Sequence, residues 1–331
     1  MKTELYATDV PTASHGRPDS IYQYYYYKTH YFDNMNLKDD RTMNTPFFAE
    51  RVKKYFDQMV VQHPDSIIKE LDFLLSKCTP GSTLFNTLVG HFTYKYEQNK
   101  TMSFDQNGKC NTYEKVFIHL ADNYIVNGKT DGYYSAETIV KIKDRVDILR
   151  NLLPGAKVPD LLMIDTTYGK QVLKMGFDTA KSSNSVTYLY TQNADKLNTM
   201  FRSMYDLKAK YTVLVFWAAD CGHCQTEVPK LHKELQALKG KVDYKVFAVQ
   251  TKEELFETWR KFLIEKKLTD FIHVFDPVHL NALTLKDRFD ITATPVIYLL
   301  DKDKRIIGKK IGSDQVVDIV NNLERIEKNL K

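Results

Sequence analysis

Apolar residues change their period near the middle of this chain, and the change divides it in two. In the first part they recur every three or four positions, as on one face of a helix. Thr45 is the expected cap, and Pro46 the first position, of a helix carrying Phe48, Val52, Tyr55, Phe56 and Met59. Pro64 and Asp65 open a second, striped by Ile67, Leu71, Leu74, Leu75 and Cys78 and stopped by Thr79-Pro80-Gly81. Leu84, Leu88, Phe92 and Tyr96 mark a third. Asn111 and Glu114 have the spacing of a capping box for a fourth, with Phe117, Leu120 and Tyr124 inward. Ser135 caps a fifth, with Ile139, Ile142, Val146 and Leu149 inward, and Pro154-Gly155 ends it. Residues 21–154 therefore read as an all-helical domain behind a flexible leader segment, 1–20, that carries Pro11, Gly16 and Pro18. The uneven helix starts do not make a repeat array.

In the second part, 155–331, short apolar runs alternate with helical stripes. Val213–Trp217 is an unbroken apolar run, as in a strand buried on both faces. Tyr244–Val249, Phe271–Phe275 and Val296–Leu300 are further strand candidates, and Arg305–Ile311 pairs with the last of these across Asp301–Lys304. Helices are expected over 193–206, from Cys224 through Leu238, from a Thr251/Glu254 capping box through Leu263, over 280–289, and from a Ser313 cap through Leu323. Pro159–Asp165 and Gln171–Leu173 read as a β-hairpin around Thr167-Tyr168-Gly169, and Ser185–Tyr190 as one more strand.

The chemistry sits where the buried strand hands over to a helix, at Cys221-Gly222-His223-Cys224. A helix's first turn presents free N–H groups and the positive end of its dipole. A thiolate there is stabilised and becomes a nucleophile at neutral pH. Spacing of three brings both cysteines to nearly one face, within reach of a disulfide. Cys221 is then the exposed attacking thiol, and Cys224, on the core stripe, the resolving thiol. A structural zinc site needs four ligands, usually as two pairs, and no second pair appears; His232 stands alone. Redox chemistry, without metal or cofactor, is the better reading of this spacing.

Trp217-Ala-Ala-Asp-Cys-Gly-His-Cys224 resembles the active site of thioredoxin-like disulfide oxidoreductases, and Glu227-Val228-Pro229 is similar to their exported TlpA/ResA-type branch. Thr292-Ala-Thr-Pro295 resembles that family's cis-proline loop. The resemblance covers the second half and implies an α+β two-domain chain: helical first, then a thioredoxin-like α/β domain with an N-terminal hairpin and an inserted αβ unit near 251–276. It implies that Trp217, Thr294 and Pro295 face the substrate, with Pro295 cis and the Thr294 backbone held open for a peptide. Thioredoxin's buried aspartate, two residues before its tryptophan, is replaced by Val215. Glu227 is then the carboxylate available to take the Cys224 proton. His223 tunes the pair: the C-G-H-C of protein disulfide isomerase poises near about −180 mV, against about −270 mV for thioredoxin. An imidazole there favours the Cys221 thiolate, while Asp220 opposes it.

Composition changes this picture little. Of the 331 residues, 43% are hydrophobic and 27% charged, and the net charge is +5, with both signs interspersed, so no nucleic-acid footprint is visible. No apolar run reaches the length of a membrane span, and Met1-Lys2-Thr3 opens no secretory leader. The resemblance nevertheless implies export to an oxidising cell-envelope compartment, with lipid anchoring upstream. It also implies cysteine-containing protein substrates and a redox partner; cytochrome maturation is one task of such domains. Four cysteines are too few for a disulfide scaffold, and Cys78 and Cys110 read as a buried thiol and a loop thiol. Ile21–Tyr27 holds five of the 21 tyrosines and reads as a helix or arm packed on its own domain rather than as an aromatic platform for a ligand. A different class of function stays open: a helical binding module carrying a regulatory or vestigial redox domain, as in some Bacteroidetes lipoproteins.

Overall fold

The computed structural model describes residues 10–13, 16–105, 107–180, 182–252, 255–279 and 284–329. They form two compact units: residues 1–100 with 113–146, and residues 101–112 with 147–331. The first boundary thus falls inside the fifth expected helix, eight residues before Pro154.

The first unit is helical, as its period predicts. Its elements are α1 (Ser20–Thr29), α2 (Phe48–Lys54), α3 (Pro64–Ser76), α4 (Thr83–Gln98), α5 (Glu114–Leu120) and α6 (Ala136–Arg150), whose last turn enters the second unit. Both α2 and α5 run on into wider π turns, Tyr55–Met59 and Ala121–Val126. Two expected caps are not used. Thr45 donates its hydroxyl to Thr42 O, and α2 starts three residues later without a side-chain cap. Asn111 lies in a strand, and α5 starts after Tyr113, also uncapped. Ser135 does cap α6, accepting the Thr138 N–H at 3.2 Å. The unit's core is ring against ring: Tyr31, Phe32, Tyr55, Phe56, Phe92 and Tyr96 are each at most 2% exposed. The tyrosine run is a helix, α1, capped by Asp19; it meets its own unit through Tyr24, which donates to Met59 O, and through the Tyr27 ring against Tyr31, although none of its residues is buried. In the described part of the leader Thr12 is bridged to Pro18.

The second unit is a seven-stranded mixed sheet in the order β4-β3-β7-β6-β5-β8-β9. Its strands are β3 (Leu162–Asp165), β4 (Phe201–Ser203), β5 (Tyr211–Trp217), β6 (Tyr244–Gln250), β7 (Ile272–Phe275), β8 (Val296–Leu300) and β9 (Ile306–Lys309). Central β5 runs parallel to β6 and antiparallel to β8. Every one of its residues is buried. Val213, Val215 and Trp217 pack on one face, under α9 (Gly222–Leu235), α10 (Phe256–Glu265) and α12 (Ser313–Asn329). Leu214 and Phe216 pack on the other, with Phe289 of α11 (Leu285–Phe289). Two covered faces require an apolar residue at each position, which is why the run is unbroken. Each such side chain contributes about 1.5–3 kcal/mol on burial.

Between β3 and β4 the structure differs from the sequence reading. Gln171–Leu173 is not the second arm of a hairpin: Gly169–Val172 is helical (α7) and Leu173–Phe177 continues it. The region read as a strand, Ser185–Tyr190, lies in α8 (Ser183–Leu197), opened by a Ser182/Ser185 capping box. The helix expected over 193–206 ends at Leu197, and the antiparallel partner of β3 is β4. The inserted unit is present as α10 and β7; Glu254 of its expected cap, and positions 280–283 of the expected helix before Phe289, lie outside the described residues. A small hairpin was not anticipated: β1 (Met102–Phe104) and β2 (Cys110–Thr112) pair antiparallel, and Met102 and Phe104 pack on the second unit's core. Its turn is organised by Asp105, whose Oδ1 accepts the N–H groups of Asn107 and Lys109, and Gly108 takes a positive φ of 74°.

Candidate active site

Strand β5 ends at Trp217, and the chain turns through Ala218 and Ala219, both 2% exposed, before Asp220 and Cys221. Cys221 is the N-cap of α9, and its sulfur accepts the Cys224 N–H at 3.2 Å. The dipole argument is thus realised as a direct hydrogen bond. As a thiol, Cys221 also reaches the Thr294 carbonyl, 3.1 Å away. Partial burial raises the Cys221 thiol, but the Cys224 thiol, Thr294 and the backbone N–H groups of Cys224 and His223 outweigh it and hold it below its ordinary value. Cys224 is fully buried. Desolvation, with the neighbouring Cys221 next, pushes it up to about 12. Two thiols three residues apart are therefore driven in opposite directions, one toward attack and one toward waiting.

The expected loop completes the site. The Thr294–Pro295 bond is cis, and both residues are half-buried beside Cys221. Gly222 is exposed, and a Cβ built on it would meet nothing within 4 Å, so the approach to the first turn of α9 is open. His223 is exposed, and among the groups that lower Cys221 it contributes its backbone N–H. Asp220 pairs with Lys252, which offsets the charge expected to oppose the thiolate.

Two expected roles change. Trp217 is 0% exposed and packs against Trp259, Phe262 and His273, at ring distances of 5.9, 5.7 and 6.4 Å. It has no surface on which a substrate could rest; it braces the end of β5 from behind. The same unbroken apolar run that placed β5 already implied this. Ser313 does not cap α12 with its side chain: it is buried, and its hydroxyl donates to Glu227 Oε2 at 2.6 Å. Glu227 is half-buried on α9 and faces the start of α12.

Sequence reasoning missed the groove next to this loop. It has a volume of about 600 Å³ and is walled by the end of β6, the start of α11 and Thr292–Thr294. Gln250 and Lys252, on its wall, follow the second apolar strand, and a polar pair at a strand end was the available signal. All four cysteines are thiols, and Cys110, read as a loop thiol, is buried in β2. No helix among the described residues is long and apolar enough to cross a membrane.

The Redoxin family matches residues 179–325, and a domain of unknown function (DUF5106) matches residues 2–150. A domain of a possible thiol-disulfide isomerase from Cytophaga hutchinsonii is 34% identical over 54% of this chain and 97% of its own, with a TM-score of 0.39. A thioredoxin-like protein from Bacteroides caccae is 16% identical but superposes along 96% of this chain and 99% of its own, with a TM-score of 0.59, and so shares the two-part fold. The thioredoxin domain of a thiol-disulfide oxidoreductase from Bacteroides vulgatus is 24% identical over 51% of this chain and 95% of its own, with a TM-score of 0.37. No curated protein matches the chain.

Proposed function

We infer the reaction from the family: this chain belongs to the thioredoxin-like thiol–disulfide oxidoreductases. We propose that it exchanges disulfides with cysteine pairs of other exported proteins through Cys221 and Cys224. The Cys221 thiolate attacks one sulfur of a substrate disulfide; a Cys221–substrate disulfide forms, and the second substrate sulfur leaves as a thiolate that takes up a proton. Cys224 then loses its proton and attacks the Cys221 sulfur. The internal disulfide closes, and the remaining substrate thiolate is released. The substrate disulfide has gained two electrons, and the protein's dithiol has lost them. A redox partner reverses the internal step, and in the opposite sense the protein's disulfide oxidises a substrate dithiol.

The observation that carries this reading is the asymmetry of the two thiols, Cys221 lowered and Cys224 pushed up to about 12. Glu227 is the proposed acceptor of the Cys224 proton, held in place by Ser313. Pro295 and Thr294 are proposed to receive the substrate backbone. Resemblance of Glu227-Val228-Pro229 to the TlpA/ResA-type branch favours an oxidising envelope compartment, with lipid anchoring upstream, and cytochrome maturation as one task. Insulin reduction by the dithiol-reduced protein tests the reaction. Turnover lost in Cys221→Ser, and a mixed disulfide accumulated by Cys224→Ala, is the expected result. The exposed rings of α1 favour a second reading, in which the helical unit binds a ligand and the redox unit regulates it. Equal, negligible turnover by wild type and Cys221→Ser would favour that one.

A further inference from the structure

The groove beside Thr294 has a donor-rich wall. Lys252, His279 and Lys286 line it, together with Gln250. Gln250 is only 1% exposed. Its Oε1 accepts the Thr251 N–H at 3.0 Å, and because only the oxygen can accept, the orientation of the amide is settled. Among the described residues the Nε2 donor has no acceptor, and it has no exposed surface, so it is not available to a ligand in the groove. Lys286 is exposed and has no ion-pair partner among the described residues. Lys252 is paired with Asp220, the residue before Cys221. Among the described residues one acid lies on the same wall, Asp276, and its charge is felt by the nearby guanidinium of Arg288. Leu285, Ile291 and Ala293 supply apolar wall for a side-chain stem.

We propose that this groove is a carboxylate-recognition subsite, which selects substrates carrying an acidic side chain close to the reactive cysteine. The proposal rests on the exchange reading above. Its geometry follows from Thr294, which lines the groove and whose carbonyl lies 3.1 Å from the Cys221 sulfur. A substrate cysteine bonded to Cys221 therefore places its chain neighbours at the groove's mouth. There a carboxylate meets the exposed Lys286 ammonium. The same carboxylate chemistry is carried by a small acidic thiol such as glutathione, and the test separates the two sources.

Symmetrical disulfides of three short peptides, with glutamate, glutamine or lysine on both sides of the cysteine, would be mixed with the reduced full-length protein at low ionic strength, where such contacts are least screened. The rate of the first exchange step is read for wild type and for Lys286→Glu. The subsite predicts that the glutamate peptide reacts about fivefold faster than the glutamine peptide, and that Lys286→Glu reverses the order of the glutamate and lysine peptides. Glutathione disulfide, run alongside, assigns the carboxylate to a small thiol if it outpaces the glutamate peptide in wild type and loses that lead in Lys286→Glu. Equal rates for the three peptides, or an order unmoved by Lys286→Glu, would overturn the subsite while leaving the exchange reaction intact. No reaction with any disulfide would overturn both.

Discussion

Cys78 follows the last turn of α3 in the first unit, and Cys221 precedes the first turn of α9 in the second. Burial pushes both thiols up. What separates them is how deeply each is buried and which donors it meets. At the end of α3 the Cys78 sulfur faces a carbonyl, Leu74 O at 3.6 Å, which offers nothing to an anion, and its thiol is driven up to about 11, with Asp40 adding to the desolvation. At the start of α9 the Cys221 sulfur faces the Cys224 thiol, Thr294 and the N–H groups of Cys224 and His223, and its thiol is lowered in spite of desolvation. Shallower burial and this set of donors, to which the helix start adds its N–H groups, make Cys221 the nucleophile, whereas Cys78 is buried at the other end of a helix and stays a packing residue. Cys224 belongs to α9 but lies one turn inside, where burial dominates again.

The largest effect is expected one turn further into α9. If Glu227 takes the Cys224 proton, Glu227→Gln should leave attack by Cys221 unchanged and slow resolution of the mixed disulfide roughly 10²-fold at pH 7. That deficit should shrink as the pH rises toward the Cys224 value, about 12, because the thiol then ionises unaided. Rapid mixing with a peptide disulfide separates the two steps. Resolution unchanged at pH 7 would reduce Glu227 to a tether between α9 and Ser313 at the start of α12.

A second expectation sharpens the contrast between the two helix ends. With the protein fully reduced, iodoacetamide at pH 7 should modify Cys221 at least about tenfold faster than Cys78. The margin follows from the direction of each thiol: desolvation drives Cys78 up to about 11, whereas Cys221 is held below its ordinary value. Comparable rates, read site by site by mass spectrometry, would mean that the N–H groups do not act as argued.

How much of this was legible in the sequence depended on where the signal was local. Residues 211–224 read correctly because a doubly covered strand leaves an unbroken apolar run and the helix period begins at Cys224. The cis bond before Pro295 came from the resemblance, since nothing in the residues themselves marks it. Residues 166–206 did not read correctly. Strand β3 finds its partner β4 only after two helical segments, and a strand as short as Phe201–Ser203, with alternating half-exposed positions, has no period to detect. The hairpin of β1 and β2 failed for the same reason, although Asp105-x-Asn107-Gly108 is a turn signal that could have revealed it. Trp217 was given to the substrate side by analogy, against the burial that its own strand implied.

A smaller effect is expected from the wall behind the site. His273 sits between Trp217 and Trp259 and is buried. Desolvation brings it down to about 4, and the ring is neutral, donating from Nε2 to Leu268 O at 2.7 Å. With a folded value below the unfolded one, about 6.5, the unfolded chain binds the extra proton between those limits. Stability conferred by neutral His273 is therefore complete above about pH 6.5 and is lost as the pH falls toward 4. Urea midpoints should decline across that window in wild type and decline less in His273→Gln, which keeps a donor for Leu268. An equal decline in both would assign the acid limb to other groups.

The pH dependence of Cys221 alkylation in the fully reduced, full-length protein tests the central claim most directly. Rates would be followed at Cys221 alone, by mass spectrometry, from pH 5 to 10. The account predicts a midpoint below that of a free thiol, about 8.5, and a shift upward in Cys224→Ala, which removes the neighbouring thiol that helps to hold the anion. A midpoint at or above about 8.5, unmoved by Cys224→Ala, would contradict it.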